Sequence, residues 1–261
     1  SWTNFHNPDF KLVSINAARF DVTKHRATPV VSDAKIGLLE LSKVLGGWKA
    51  PNQWYQEAVK EAKEWDQYVE KQSGPTNQET PSYAHAVGAV YRNADPSDIV
   101  VTAAGGLVGE VAQIWKPKQI NTFETEWGYS CMGYEISGAL GIKMAKPDQE
   151  VIVFIGDGSY LLNNSDIYSS ILYEKKLIIV VCDNSGHMVI NRLQLAKGGK
   201  EYLCNLKAAR AKNFIEVDFA AHAASMGAET ETVTSSSGLE AAFLRAKKSN
   251  KTYVIALKTH G

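Results

Sequence analysis

The chain has 261 residues, and its 28 Lys and Arg balance 28 Asp and Glu to a formal net charge of zero. That length allows one large domain or two small ones, and the balance lacks the basic excess that a nucleic-acid or anionic-membrane partner favours. The longest apolar runs, such as Leu177 to Cys182, fall far short of the roughly 20 residues needed to cross a bilayer.

Three widely spaced cysteines (Cys131, Cys182, Cys204) with no CxxC pair fit a reducing cytoplasm and not a disulfide framework. The six histidines form no HExxH-like cluster, so a zinc site is not expected. No signal-peptide pattern opens the chain. It starts at Ser1 without methionine and stops at "YVIALKTHG", directly after what reads as a strand, so a piece of a longer polypeptide is expected.

In chain order, "FKLVSINAARFDVTKH" reads as a short strand and a loop. "SDAKIGLLELSKVL" reads as a helix capped by Ser32 or Asp33, with Ile36, Leu39, Leu41 and Val44 near one face and Gly46-Gly47 as its stop. One strand and one helix cannot close a core, so residues 1–47 are expected to be the remnant of a central α/β domain that needs a partner. Residues 48–81 are expected to be a half-exposed connecting helix, "NQWYQEAVKEAKEWDQYVEKQ", and a polar linker, "SGPTNQETP".

From Tyr83 the pattern becomes regular. "YAHAVGAVYRN" is helical, "DIVVTAAGG" is a buried strand ending in glycines, and "GYEISGALGIKMA" is a helix of small residues. "EVIVFIGDG", "DIYSSILYEK" and "KLIIVVCDN" give strand, helix, strand. "VDFAAHAASMGA" and "GLEAAFLRAKKS" are helices around the short strand "ETETV", and "TYVIAL" is the last strand. Continuous apolar strands alternating with helices predict an α/β domain over 82–261, a parallel sheet with helices on both faces. Ligands of such sheets bind beyond the carboxyl ends of the strands.

Two of those strand ends carry unusual residues. Gly156-Asp157-Gly158 follows Val151 to Ile155, and Asp183-Asn184-Ser185-Gly186 follows Leu177 to Cys182. If the strands are neighbours, the loops bring a carboxylate, a carboxamide oxygen and glycine carbonyls to one point. These hard oxygen donors suit magnesium with phosphates completing its shell, and backbone N–H groups of the glycine turn suit the polyanion. A Gly-Asp-Gly alone also occurs in strand-to-helix turns for conformational reasons. Walker A is excluded because no GK[ST] follows, and the dinucleotide fingerprint fails because Leu161 takes the place of its third glycine.

Between Gly158 and Asp183 lie 24 residues, Ser159 to Cys182, and then Asn184. This resembles the signature of thiamine-diphosphate-dependent enzymes, a GDG separated by a similar stretch from an Asn-Asn pair whose first member is here Asp183. The resemblance implies that Asp157, the Asn184 side chain and the Gly186 carbonyl bind Mg²⁺, and that Gly156, Gly158 and Ser159 meet the diphosphate. "GYSCMGYEISGALG" resembles the segment that props this cofactor in a V shape; Met132 would be the wedge, and backbone around Ser130 and Met132 would bond the pyrimidine. Read without the resemblance, Met132 is a core methionine. Gly105 and Gly106, in "TAAGG", would touch the phosphates, with a plain turn as the alternative.

The wording around these motifs, with "INAARFDVTKHRATPVVSDAKIGLLEL" upstream, resembles one family in particular. It is similar to the C-terminal part of the trihydroxycyclohexane-1,2-dione hydrolases of inositol catabolism, which open a cyclic diketone to 5-deoxyglucuronate. His187 stands where related sequences often carry an aromatic residue. It could alter the substrate side of the site, and the reading preferred is that it faces solvent.

The resemblance also implies an activating glutamate on a separate pyrimidine-binding domain of the same or a second polypeptide, and a homo-oligomer (dimer or tetramer) of full-length chains. No segment here resembles that domain, and Glu110, Glu124 and Glu126 lie in the wrong context. The chain alone is therefore expected to hold the diphosphate and metal half of the site and to be inactive. Rival readings are an acetolactate-synthase-like carboligase or decarboxylase, a non-catalytic module of the same fold, and a nicotinamide oxidoreductase, which the failed fingerprint disfavours.

Overall fold

The computed structural model describes residues 7, 9–208, 213 and 215–260. Ser1, His6 and Gly261, which enter the sequence reading, lie outside the described residues. The chain divides into two compact units, Ser1–Ala62 and Lys63–Gly261.

In the first unit, β1 (Val13–Asn16) and β2 (Thr28–Val31) pair in parallel, with a 3-10 turn at Asp21–Arg26 between them. The strand β2 is absent from the sequence reading because its Pro29 argues against a strand. At the edge position it occupies, the missing N–H costs no ladder bond. Helix α1 (Ala34–Leu45) is capped by Asp33, whose Oδ1 accepts the N–H groups of Lys35 at 3.0 Å and Ile36 at 3.2 Å. Gly46, at φ 50°, ends it. Ile36, Leu39, Leu41 and Val44 are all exposed, and Val22 and Ala27 are the buried apolar side chains among the described residues of this unit. Helix α2 (Asn52–Ser73) runs across the boundary between the units.

The second unit is built on a sheet that, among the described residues, has six strands, all parallel. They are β3 (Ile99–Thr102), β4 (Phe123–Thr125), β5 (Val151–Gly156), β6 (Ile178–Asp183), β7 (Glu229–Val233) and β8 (Tyr253–Lys258), in the spatial order β4-β3-β5-β6-β8-β7. The central strands alternate between two cores. Val100, Ile152, Phe154, Ile178, Val180 and Ile255 face helices α3 (Tyr83–Asn93), α4 (Leu107–Ile114) and α10 (Ser236–Lys248). Val101, Val153, Ile155, Ile179, Val181 and Val254 face α5 (Tyr134–Ala145), α6 (Asp157–Leu162), α7 (Asp166–Leu172) and α9 (Phe219–Ser225). Burial on both faces is why these strands read as unbroken apolar runs.

From β3 the sheet grows outward to β4 on one side and to β5 on the other. The strand order reverses there, and the rim above such a reversal is a crevice no crossover covers. Phe154 is fully buried and meets Trp115 edge-on, ring centroids 6.3 Å apart. Phe154→Ala in the full-length protein should lower unfolding free energy by about 3–5 kcal/mol, read by denaturant titration; a change within error would show that this core face is not under packing constraint.

Candidate functional site

Strands β5 and β6 pair with Gly156 opposite Cys182, so Asp157 and Asp183 leave the sheet at the same rim. Asp157 starts α6 and is 2 % exposed. Its Oδ1 accepts the Gly158 N–H at 2.9 Å, and its Oδ2 accepts the Gly186 N–H at 2.8 Å. The second bond ties one strand mouth to the other.

Gly186 makes this possible because of its backbone. Its φ is 151°, and a Cβ there would lie 2.2 Å from the Cys204 carbonyl oxygen. The residues around Cys204 cross the end of β6: the His187 N–H donates to the Cys204 carbonyl at 2.8 Å, and the Leu206 N–H to the Ser185 carbonyl at 2.9 Å. Only a residue without a side chain fits between Asp157 and this crossing strand.

Asn184, next to Asp183, uses its Nδ2 to donate to the Tyr83 hydroxyl at 2.6 Å. Its Oδ1 is buried and has no hydrogen-bond partner among the described residues. The two aspartates differ in their surroundings. Asp183 pairs with Lys258 Nζ at 2.6 Å and accepts the Ser185 N–H at 2.9 Å. Asp157 has backbone donors but no cation partner among the described residues; burial first, and the Asp183 charge second, push its pKa up to about 7. Burial likewise raises the Tyr83 phenol and the Cys182 thiol well above their ordinary range. A buried amide oxygen with no donor beside a carboxylate whose charge is poorly offset is an arrangement that a divalent cation would complete.

A cavity of about 320 Å³ opens at this rim. Gly105, Gly106, Ser130, Met132, Gly156, Asp157, Gly158, Ser159, Asn184 and Gly186, the residues singled out from the sequence, all line it. Gly105 has φ 78° and open space where a Cβ would stand; Gly156, at φ −78°, has open space there too. Ser130, also at positive φ (52°), donates its hydroxyl to the Ala103 carbonyl at 3.4 Å. Met132 is 38 % exposed, and its Cε lies 3.4 Å from where a Gly158 Cβ would sit. Three helices begin at the wall: Gly106, Gly156 and His187 are the N-caps of α4, α6 and α8 (Met188–Ala196). Their free N–H groups favour a negatively charged ligand.

His187 is exposed, as the solvent-facing reading has it, but its ring also lines the cavity, with Cε1 2.7 Å from where a Gly158 Cβ would be. Several other contributors escaped the sequence reading. Tyr83 lies 101 residues before its partner Asn184 and carried no local signal. Helix α8, in "HMVINRLQLA", supplies Met188, Val189 and Ile190 to the wall. Glu135 is fully buried at the start of α5; a lone carboxylate in the small-residue helix "YEISGALG" was the available clue. Glu126 is committed to the loop before Met132, accepting the N–H groups of Tyr129 and Cys131, each at 2.8 Å. No helix among the described residues is long and apolar enough to cross a membrane.

Residues 103–257 match the family described as thiamine pyrophosphate enzyme, C-terminal TPP binding domain. Curated relatives include the 3D-(3,5/4)-trihydroxycyclohexane-1,2-dione hydrolase of Halalkalibacterium halodurans, 34% identical over 99% of this chain and 44% of its own length. The hydrolase of the same name from Listeria innocua is 35% identical over 97% of this chain and 43% of its length. The chain thus spans less than half the length of these relatives. Among solved structures, the thiamine diphosphate-dependent 4-hydroxybenzoylformate decarboxylase of Rhodococcus jostii RHA1 superposes with a TM-score of 0.62 over 71% of this chain and 34% of that one. At 18% identity it speaks for the fold.

Gly186→Ala is expected to destabilise the protein by at least about 1–3 kcal/mol from backbone strain alone, seen as a lower denaturation midpoint. An unchanged midpoint would mean that the crossing strand at Cys204 yields freely and does not hold the Gly186 N–H on Asp157.

Proposed function

Because the chain belongs to the thiamine pyrophosphate enzyme family through its C-terminal TPP binding domain, we propose that it forms the diphosphate- and magnesium-holding half of a hydrolase acting on trihydroxycyclohexane-1,2-dione. The observation that carries the metal half of this reading is the pairing of the Asp157–Gly186 bond with the unpartnered Asn184 Oδ1 in one cavity. In this reading Asp157, Asn184 Oδ1 and the Gly186 carbonyl hold Mg²⁺. The turn at Gly158 and Ser159 meets the diphosphate, and Gly105 and Gly106 let it approach the backbone. Met132 offers an apolar surface beside Gly158 for the rings, with the backbone near Ser130 turned toward the pyrimidine. When bound, thiamine diphosphate supplies an electron sink for breaking the C–C bond beside a carbonyl.

The substrate half rests on the activity that names the relatives 34% and 35% identical along nearly the whole chain, which favours ring opening to 5-deoxyglucuronate over an acetolactate-synthase-like carboligation. The activating glutamate is proposed to come from a pyrimidine-binding domain of the same or a second polypeptide, in a homo-oligomer. Supporting this, Glu126 is bound to its own loop, and Glu110 lines a neighbouring cleft with Arg192 and not the cofactor cavity. On this reading residues 1–261 alone do not turn over.

Calorimetric titration of the full-length protein with Mg²⁺ and thiamine diphosphate tests the metal site. Asp157→Ala or Asn184→Ala should weaken binding by at least the ~10–100-fold that loss of an outer-shell partner costs; unchanged affinity in both would remove the metal from this rim. The pH dependence has a definite sign. Metal needs the Asp157 carboxylate, so with its pKa near 7 affinity should fall as pH drops below about 7, by up to about tenfold per unit, with a proton released on binding. Without metal, the raised pKa contributes stability below about pH 4, and that contribution is lost as pH rises through about 7. A pH-independent affinity between 5 and 8 would contradict the assignment.

A further inference from the structure

Glu135 has no place in the reading so far, yet it joins two of the loops that wall the cavity. It is 0 % exposed. Its Oε1 accepts the Ala104 N–H at 3.3 Å, in the loop after β3, and its Oε2 accepts the Gly133 N–H at 2.8 Å, directly after Met132. Ala104 and Met132 both line the cavity. Two loops that are far apart in sequence therefore meet on one carboxylate.

This is an expensive group to bury unless each oxygen finds donors. Both oxygens accept N–H groups, which favours the ionised form against the burial that raises the carboxyl's pKa; an amide would set a donor against a donor. Its place in the first turn of α5 adds favourable interaction with the helix N-terminus. Gly133 is constrained besides, at φ 95° with a hypothetical Cβ only 2.6 Å from Asn163 Cβ. The loops have little freedom to find other donors and acceptors.

We propose that Glu135 is the positioning residue that locks the β3 loop and the Met132 loop into one cofactor cradle, and so sets the affinity for thiamine diphosphate without contacting the reacting atoms. The inference rests on reading the cavity as the thiamine diphosphate site. Glu135→Gln keeps the shape and replaces one acceptor by a donor. In the full-length protein, well below its melting temperature and with Mg²⁺ saturating, this change should weaken thiamine diphosphate binding by about 10–100-fold in calorimetry, the cost typical of an outer-shell partner. In turnover, the cofactor KM should rise while kcat at saturating cofactor stays within about twofold. If the variant does not fold, Glu135→Asp, which keeps the charge but is one methylene short, is read in the same way. A lower melting temperature with unchanged cofactor affinity overturns the inference and leaves Glu135 a structural carboxylate. A fall in kcat with unchanged cofactor KM overturns it too. If the unsubstituted protein does not bind the cofactor, the functional reading fails and the inference goes with it.

Discussion

The parallel pairing of β5 with β6 is the constraint on which the site depends. With Gly156 opposite Cys182, the two strands end together and deliver Asp157 and the Asp183–Gly186 turn to the same height above the sheet. In a parallel sheet a slip of one residue would move every apolar side chain of a strand to the opposite core face. Here Phe154 and Val180 belong to one core and Ile155 and Val181 to the other, all fully buried. The register of the core thus fixes the register of the site. Polar chemistry at the rim is placed by hydrophobic burial below it.

What happens at the rim follows from low solvent access. Asp157 cannot shed its charge into water, so it draws N–H donors from both loops and holds a proton more tightly than an exposed aspartate. Asp183, a few ångströms along, solves the same problem with Lys258. Asn184 has one half of its amide satisfied by Tyr83 and the other half unsatisfied. Folding leaves such groups incomplete where a ligand completes them more often than in a finished core, since an orphaned buried oxygen costs about 1–3 kcal/mol.

Much of this was legible in the sequence because the buried strands are long apolar runs and the helices between them carry their caps and stops. Tyr83–Asn93 is both the expected and the observed helix, β3, β5, β6 and β7 fall within expected segments, and β8 runs one residue past its own, to Lys258. The ten cavity residues were legible through motif spacing, which reports on loops tied to strand ends. The elements that escaped include α4 and α8, short helices that follow the strand-end loops, and two with little periodicity or length. β4 is three residues with an exposed Glu124 at its centre, and α6 begins inside the GDG motif itself. Tyr83 and Glu135 act through contacts distant in sequence, 101 residues in one case and 31 in the other; no local pattern encodes such a partnership. In the first unit the reading of α1 was correct, but its apolar face is exposed, which is consistent with a chain that spans less than half the length of its relatives.

The most direct measurement is a crystal structure of the full-length protein grown with Mg²⁺ and thiamine diphosphate. One Asp157 oxygen and Asn184 Oδ1 are predicted to lie about 2.0–2.1 Å from a single ion, with the cofactor's phosphates completing its shell at the β5–β6 rim. An ion bound elsewhere, with Asn184 Oδ1 left without a ligand, would contradict the assignment at its root.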